Sequence, residues 1–392
     1  MSEVSGDTAP GFEEVRDAFA ANLAGGQEIG AAVSAYLNGR KVVDLWGGIA
    51  DPADGRAWER DTLQVVYSTT KAVTAACALL LAQRGELNLD APVTEYWPEF
   101  AAHGKDRIPV RWLLTHQAGL PTLDHPITRA EAIAWDPMVE ALAAQRPSWE
   151  PGAEHGYHGL TFGWLVGEVV RRVSGRSIGT YLAEEIAAPL GLDLWIGLPK
   201  SEHHRVSRVI AVPPDLDALA RIDLDALPEP VRDVIAAYAD PTSLTVRSLL
   251  TLVTPQLDHN DPDEQAAELP STGGICTARA LARFYAALIG EVDGQRILTA
   301  DTVAAATAQR AAGVDRILRV PVRIGTGFGL PTPDAFWYTP TAFGFPGYGG
   351  SLGFADPATG LAFGYVMNHV QEGVPDRRAA NLLEAIRSAT AA

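Results

Sequence analysis

Apolar positions along the chain switch between helical and strand periods, and the switches outline a body built from both ends. Phe12, Val15, Phe19 and Leu23 recur at helical spacing. Residues 31–37 and 42–46 then read as strands joined through Asn38-Gly39, a strong hairpin signal because both turn positions tolerate positive φ. An apolar run predicts a helix over 68–84, closed by Gly85. The far end mirrors this opening. Residues 351–354 and 361–367 are strand-like runs separated by Asp356-Pro357-Ala358-Thr359-Gly360, and a final helix carries Leu382, Leu383 and Ile386. Between the ends, Leu165, Val166, Val169, Val170 and Val173 keep helical spacing, as do Leu281, Phe284, Tyr285 and Leu288.

The pattern therefore predicts an α/β fold of the α+β type. Residues 1–84 and 271–392 form an antiparallel sheet flanked by the N- and C-terminal helices, and 85–270 form a mostly helical region packed on it. Within that region, 211–270 holds 12 acidic residues against 3 arginines and contains 8 prolines. It reads as an irregular excursion, either a solvated stretch or a cover over an active site.

Composition narrows the class. The chain has 392 residues with 31 basic and 48 acidic side chains, a net charge of −17, which argues against nucleic-acid binding. Its 47% hydrophobic and 20% charged residues suit a large buried core. The longest apolar stretch, 72–82, is well short of the roughly 20 residues that span a bilayer. The first residues lack the basic start and apolar core of a signal peptide, and two cysteines cannot build a disulfide framework. These features predict a cytoplasmic location without membrane or nucleic-acid partners; oligomeric state is not legible.

The chemistry concentrates at the start of the 68–84 helix. Ser68 and Lys71 stand three apart, so they share one face with Cβ atoms about 5–6 Å apart. A capping box would place Glu or Gln where Lys71 stands. Lysine in a first turn opposes the helix macrodipole, and the following AVTAACALLLA is apolar on nearly every face, which predicts burial. Both effects push the amine pKa down. An easily deprotonated amine beside a hydroxyl is what a serine nucleophile requires.

Two glycine-rich segments add candidates. Pro151-Gly152-Ala153-Glu154-His155-Gly156-Tyr157-His158-Gly159 presents Tyr157 ahead of a helix, where its hydroxyl can exchange a proton with Ser68 and Lys71. Most tyrosines are instead core residues with a hydrogen-bonded hydroxyl. Phe343-Gly344-Phe345-Pro346-Gly347-Tyr348-Gly349-Gly350-Ser351 allows close backbone approach, so the N–H groups of Tyr348 and Ser68 form a candidate oxyanion pair. Phe345, Gly347, Tyr348, Trp337 and Tyr338 are the candidate substrate pocket.

The order Ser-x-x-Lys, Tyr, glycine-rich strand resembles the serine β-lactamase and penicillin-binding protein superfamily, in particular its class C β-lactamase-like esterases, the family VIII carboxylesterases. Leu113-Leu114-Thr115-His116-Gln117-Ala118-Gly119-Leu120, Gly156-Tyr157-His158-Gly159-Leu160-Thr161 and Ser351-Leu352-Gly353-Phe354-Ala355-Asp356-Pro357 support it, covering about residues 29–370 in order and leaving the acidic span poorly matched. The resemblance implies a β-lactamase/transpeptidase-like fold, nucleophilic Ser68 served by Lys71 and Tyr157, an acyl-enzyme, and hydrolysis by water. Two departures matter. Penicillin-recognising relatives carry Tyr-x-Asn where this chain has Tyr157-His158-Gly159, and Lys-Thr-Gly where it has Phe345-Pro346-Gly347. Loss of a lysine that would pair with a substrate carboxylate favours neutral, apolar carboxylic esters over β-lactams or D-alanyl peptides. The rival expectations are an acyltransferase, a β-lactamase or D-alanyl peptidase, and a non-enzymatic covalent receptor.

Two Gly-x-Ser-x-Gly strings, centred on Ser177 and Ser351, mimic a nucleophile elbow, but neither sits between a strand and a following helix. No His-Glu-x-x-His or cysteine-histidine framework is present, so neither a metal nor a cofactor is expected.

Overall fold

The computed structural model describes residues 4–211, 221–333, 338–371 and 376–391. Its main sheet is antiparallel throughout and runs in the order Val4–Thr8, Arg40–Asp51, Gly30–Leu37, Leu361–Met367, Leu352–Asp356, Phe343–Pro346, Gly329–Leu330, Pro321–Ile324, Ala311–Val314, with Arg56–Ala57 added beside Arg40–Asp51. Strands from the two ends thus meet at the centre, where Gly30–Leu37 pairs with Leu361–Met367. Asn38 and Gly39 close the first hairpin with φ of 49° and 75°, the conformation their sequence predicts. No helix among the described residues is long and apolar enough to cross a membrane.

Each face of the sheet is covered. On one, Phe12, Val15, Phe19 and Leu23 of the helix Glu13–Ala24 join Leu382, Leu383 and Ile386 of the helix Arg378–Ala391 over Val33, Val43, Leu45, Phe354 and Phe363. On the other lies the helix Ala278–Ile289, seated where two paired strand positions are both glycine, Gly353 and Gly364. A Cβ at Gly364 would stand 2.6 Å from both the Ala278 carbonyl oxygen and the Ala282 nitrogen, backbone atoms that cannot swing aside. Gly364→Ala is therefore expected to destabilise the fold by about 1–3 kcal/mol, read as a lower urea midpoint at unchanged slope.

A second, three-stranded sheet orders Gln64–Val65, Gly274–Cys276 and Leu194–Ile196. It brings the chain just before Ser68 against the chain just after Ser271, with Val66 N–H donating to the Gly274 carbonyl at 2.9 Å.

Several elements differ from the sequence expectation. The edge strand Val4–Thr8 has alternating exposure and a polar VSGDT sequence, so it carries no apolar period to read. The acidic excursion is only partly irregular in its described part. It holds the helices Glu229–Ala239, Leu244–Leu249 and Pro262–Ala266. Pro230 and Pro262 lie in the first turns of their helices, where a missing N–H leaves no broken bond.

Candidate active site

Ser68 lies in a 3-10 turn, Tyr67–Thr69, that leads directly into the helix Thr70–Gln83. The turn is held in an uncommon conformation. Tyr67 has φ of 45°, which costs a non-glycine residue about 1–2 kcal/mol. Its ring is edge-on to His259 and Tyr348 at 4.8 and 5.4 Å, and Thr70 Oγ1 donates to its carbonyl at 2.5 Å. The turn leaves Ser68 partly exposed while Lys71, one turn on, is wholly buried.

Lys71 Nζ stands 3.1 Å from Ser68 Oγ and donates to the Ser271 carbonyl at 3.1 Å. No carboxylate among the described residues offsets its charge, and burial holds the amine well below the ordinary lysine range. Tyr157 donates its hydroxyl to Ser68 Oγ at 2.7 Å. Burial pushes the Tyr157 phenol up, against the hydrogen bond to Ser68, and the nearby Asp315 and Tyr238 add to the rise. The two neighbours of Ser68 are therefore shifted in opposite directions, the amine made easier to deprotonate and the phenol harder. A neutral amine has one lone pair free for the Ser68 hydroxyl.

The loop carrying Tyr157 is fixed from beneath. Asp315, fully buried, accepts from the backbone N–H groups of Tyr157, Ile317 and Leu318 at 3.0, 2.8 and 2.9 Å through one carboxylate oxygen. Burial still raises its pKa. His158 turns away from Ser68: its Nδ1 lies 2.7 Å from the Gly156 carbonyl and its Nε2 accepts from Leu120 N–H at 3.0 Å. Its own N–H donates to His116 Nδ1 at 3.1 Å, and the His116 ring lies 5.1 Å from that of Tyr157. Burial lowers both histidines, His158 to about 4, so both are neutral near pH 7.

The third segment is stitched to the Ser68 turn. Thr69 Oγ1 donates to the Phe345 carbonyl at 3.2 Å and Ser351 Oγ to the Val66 carbonyl at 3.0 Å. A Cβ at Gly347 would overlap the Val66 carbonyl oxygen and Ser351 Oγ, so only glycine allows this approach. Tyr348 opens the following turn, Tyr348–Gly350, whose Gly349 carbonyl accepts from Arg378 Nη2 at 2.6 Å. Arg378 is fully buried and in turn bonds Asp376 and Glu28, the latter also accepting from Tyr365. Burial raises the Glu28 carboxyl to about 7, even though Arg378 and the Tyr365 hydrogen bond act to lower it.

Ser68, Lys71, Tyr157, Phe345, Gly347 and Tyr348 are thus gathered at one place. The Phe345 ring stacks on Tyr157 at 6.1 Å and lies 5.8 Å from Lys71 Nζ. Tyr338 is a correction. It is buried on the terminal-helix face of the sheet, its ring 6.1 Å from Phe354 and its hydroxyl 2.8 Å from Thr390 Oγ1, because the chain points it into that core. Trp337 lies outside the described residues. Asp315 and Ser271 were not singled out in the sequence: the first holds backbone N–H groups with its carboxylate, the second offers its carbonyl to Lys71, and no side-chain spacing announces either. Of the two mimics, Ser177 caps the helix Ile178–Leu182 and donates to Glu268 at 2.6 Å.

The Beta-lactamase family model matches residues 15–387. Esterase/beta-lactamase LipL of Mycobacterium tuberculosis is 36% identical over 372 residues, covering 94% of this chain and 83% of its own. A penicillin-binding protein homolog from Caulobacter crescentus is 38% identical, with a TM-score of 0.85 over 99% of this chain and 100% of its own. A family VIII carboxylesterase structure is also 38% identical, with a TM-score of 0.84 over 98% of this chain and 100% of its own. On these grounds, and with the match running almost end to end, the chain belongs to the β-lactamase family.

Proposed function

We propose that the protein is a carboxylesterase, a serine hydrolase that cleaves neutral, apolar esters through an acyl-enzyme on Ser68. One observation carries the reading: Ser68 Oγ lies between a buried amine at 3.1 Å and a phenol at 2.7 Å whose pKa values move apart. Neutral Lys71 takes the hydroxyl proton as Ser68 Oγ attacks the ester carbonyl. The carbonyl oxygen becomes an oxyanion, received by the N–H groups of Ser68 and Tyr348. On collapse, Tyr157 gives its proton to the departing alkoxide and is reprotonated from Lys71. Water then repeats the sequence on the acyl-enzyme, returning the acid and free Ser68.

Charge and polarity support an apolar ester. Phe345 places an aromatic ring where a substrate carboxylate would need a cation. Similarity to an esterase/beta-lactamase and to a family VIII carboxylesterase points the same way. The two buried, unbridged thiols, Cys77 and Cys276, fit a reducing compartment such as the cytoplasm.

Mass spectrometry after treatment with a fluorophosphonate tests the assignment. The expected adduct is on Ser68, with parallel turnover of short and medium-chain nitrophenyl esters exceeding that of a chromogenic cephalosporin. An adduct on Ser177 or Ser351 with Ser68 intact would overturn the mechanism, and an ester burst without turnover would make the protein a covalent receptor.

A further inference from the structure

Gly159 follows Tyr157 by two residues in the same buried loop, and the space beside it is already taken. A Cβ built on Gly159 would overlap Leu249 Cδ2 and lie 3.6 Å from two carbons of the Tyr157 ring. Leu249 thus presents its branched end beside that ring. It is the last residue of the helix Leu244–Leu249, which belongs to the acidic excursion and not to the loop it touches.

That helix is not loosely laid over the site. Ser243 caps it, accepting from Val246 N–H at 3.1 Å. Thr245 Oγ1 donates to the Ile317 carbonyl at 2.6 Å, and Ile317 N–H shares the Asp315 oxygen that also holds Tyr157 N–H. On its other side, Thr122 Oγ1 donates to the Arg247 carbonyl at 3.0 Å and Arg247 Nη2 to the Leu123 carbonyl at 2.8 Å. Three bonds to neighbouring segments therefore fix Leu249 relative to Tyr157. Phe345 stacks on the same Tyr157 ring. The phenol is thereby attended by two apolar groups, an aromatic ring from the sheet and a branched alkyl group from the excursion.

We propose that Leu249 is a specificity-determining residue, the wall that limits the hydrophobic chain of the ester beside Tyr157. The inference rests on the ester-hydrolase reading above. A branched alkyl group there offers no hydrogen bond to a polar substituent, so the favoured substrates carry short, unsubstituted alkyl chains. Its size sets their length: truncation to alanine removes three carbons, and each methylene of matched pocket is worth about 10-fold or more in kcat/KM.

The test is the chain-length profile of Leu249→Ala. kcat/KM is measured for nitrophenyl acetate, butyrate and octanoate, and for ethyl and octyl acetate. The ratio of long-chain to short-chain values is expected to rise at least about tenfold in one of the two series. Leu249→Phe is expected to lower it, and this variant with Leu249→Val supplies the readout should the alanine form not fold. Gly159→Ala is expected to depress turnover alone and to recover it when combined with Leu249→Ala, because the overlap is then relieved. Unchanged ratios in active variants, or independent effects of the two positions, would overturn the proposal. Absence of ester turnover in the unsubstituted protein would instead overturn the hydrolase reading, so the two failures are distinguishable.

Discussion

Lys71→Met is expected to lower kcat for ester turnover by about 10⁴ to 10⁶, close to the loss from Ser68→Ala, and the double variant is expected to be no worse than either. The reason is that in the proposed mechanism the serine and the amine act as one device. Without the amine, the Ser68 proton has no acceptor whose pKa suits the task. Tyr157 cannot replace it, because burial raises its phenol and it already donates to Ser68 Oγ. Steady-state kinetics of the three proteins on nitrophenyl butyrate decide the point; losses that add would mean that Lys71 and Ser68 act separately. The pH dependence supplies a second readout. Since burial lowers the Lys71 pKa well below 10.5, the acidic limb of kcat/KM belongs well below the ordinary lysine range. The sign for stability follows from the same shift. Between the folded-state pKa and 10.5, unfolding takes up a proton on Lys71, so stability rises with pH through that window and its contribution is lost as pH falls through the folded-state value. Lys71→Met is expected to flatten that rise.

Tyr157→Phe is expected to lower kcat by about 10² to 10⁴, with the loss graded by the leaving group. A nitrophenolate departs without help, whereas an alkoxide needs a proton as the bond to carbon breaks. The variant should therefore lose more on ethyl butyrate than on nitrophenyl butyrate. The raised phenol pKa keeps this donor protonated into alkaline solution. Equal losses on the two esters would show that Tyr157 only orients Ser68. The Asp315 contact to Tyr157 N–H is retained in the phenylalanine form, so the loop itself need not move.

Legibility in the sequence followed distance along the chain. Ser68 and Lys71 could be paired by reading because three residues on one helix turn fix their relation. Tyr157 reaches Ser68 across 89 residues, so its glycine-rich loop made it one candidate among many tyrosines and the family resemblance gave it weight. Asp315 and Ser271 contribute a carboxylate under a backbone N–H and a carbonyl, groups with no residue-type signature. Tyr338 was misassigned because aromatic character does not reveal which face of a sheet a side chain will take. The hairpin through Asn38-Gly39 was plain, since its turn demands those residues. The helices within the excursion are hard to read for a physical reason: prolines in first helical turns and prolines in loops look alike until the backbone is seen.

The union of both chain ends in one sheet also sets a timetable. Gly30 N–H donates to Asn368 Oδ1, 338 residues later, and the neighbouring strand of Gly30–Leu37 is Leu361–Met367. During translation Ser68 leaves the ribosome well before Phe345, Tyr348 and the buried Arg378 that grips their turn. The nascent chain therefore holds an open strand edge until Leu361–Met367 is made, a template for unwanted pairing. On the proposed mechanism Ser68 then waits for the N–H of Tyr348, and acylation is expected only after Phe343–Pro346 has docked.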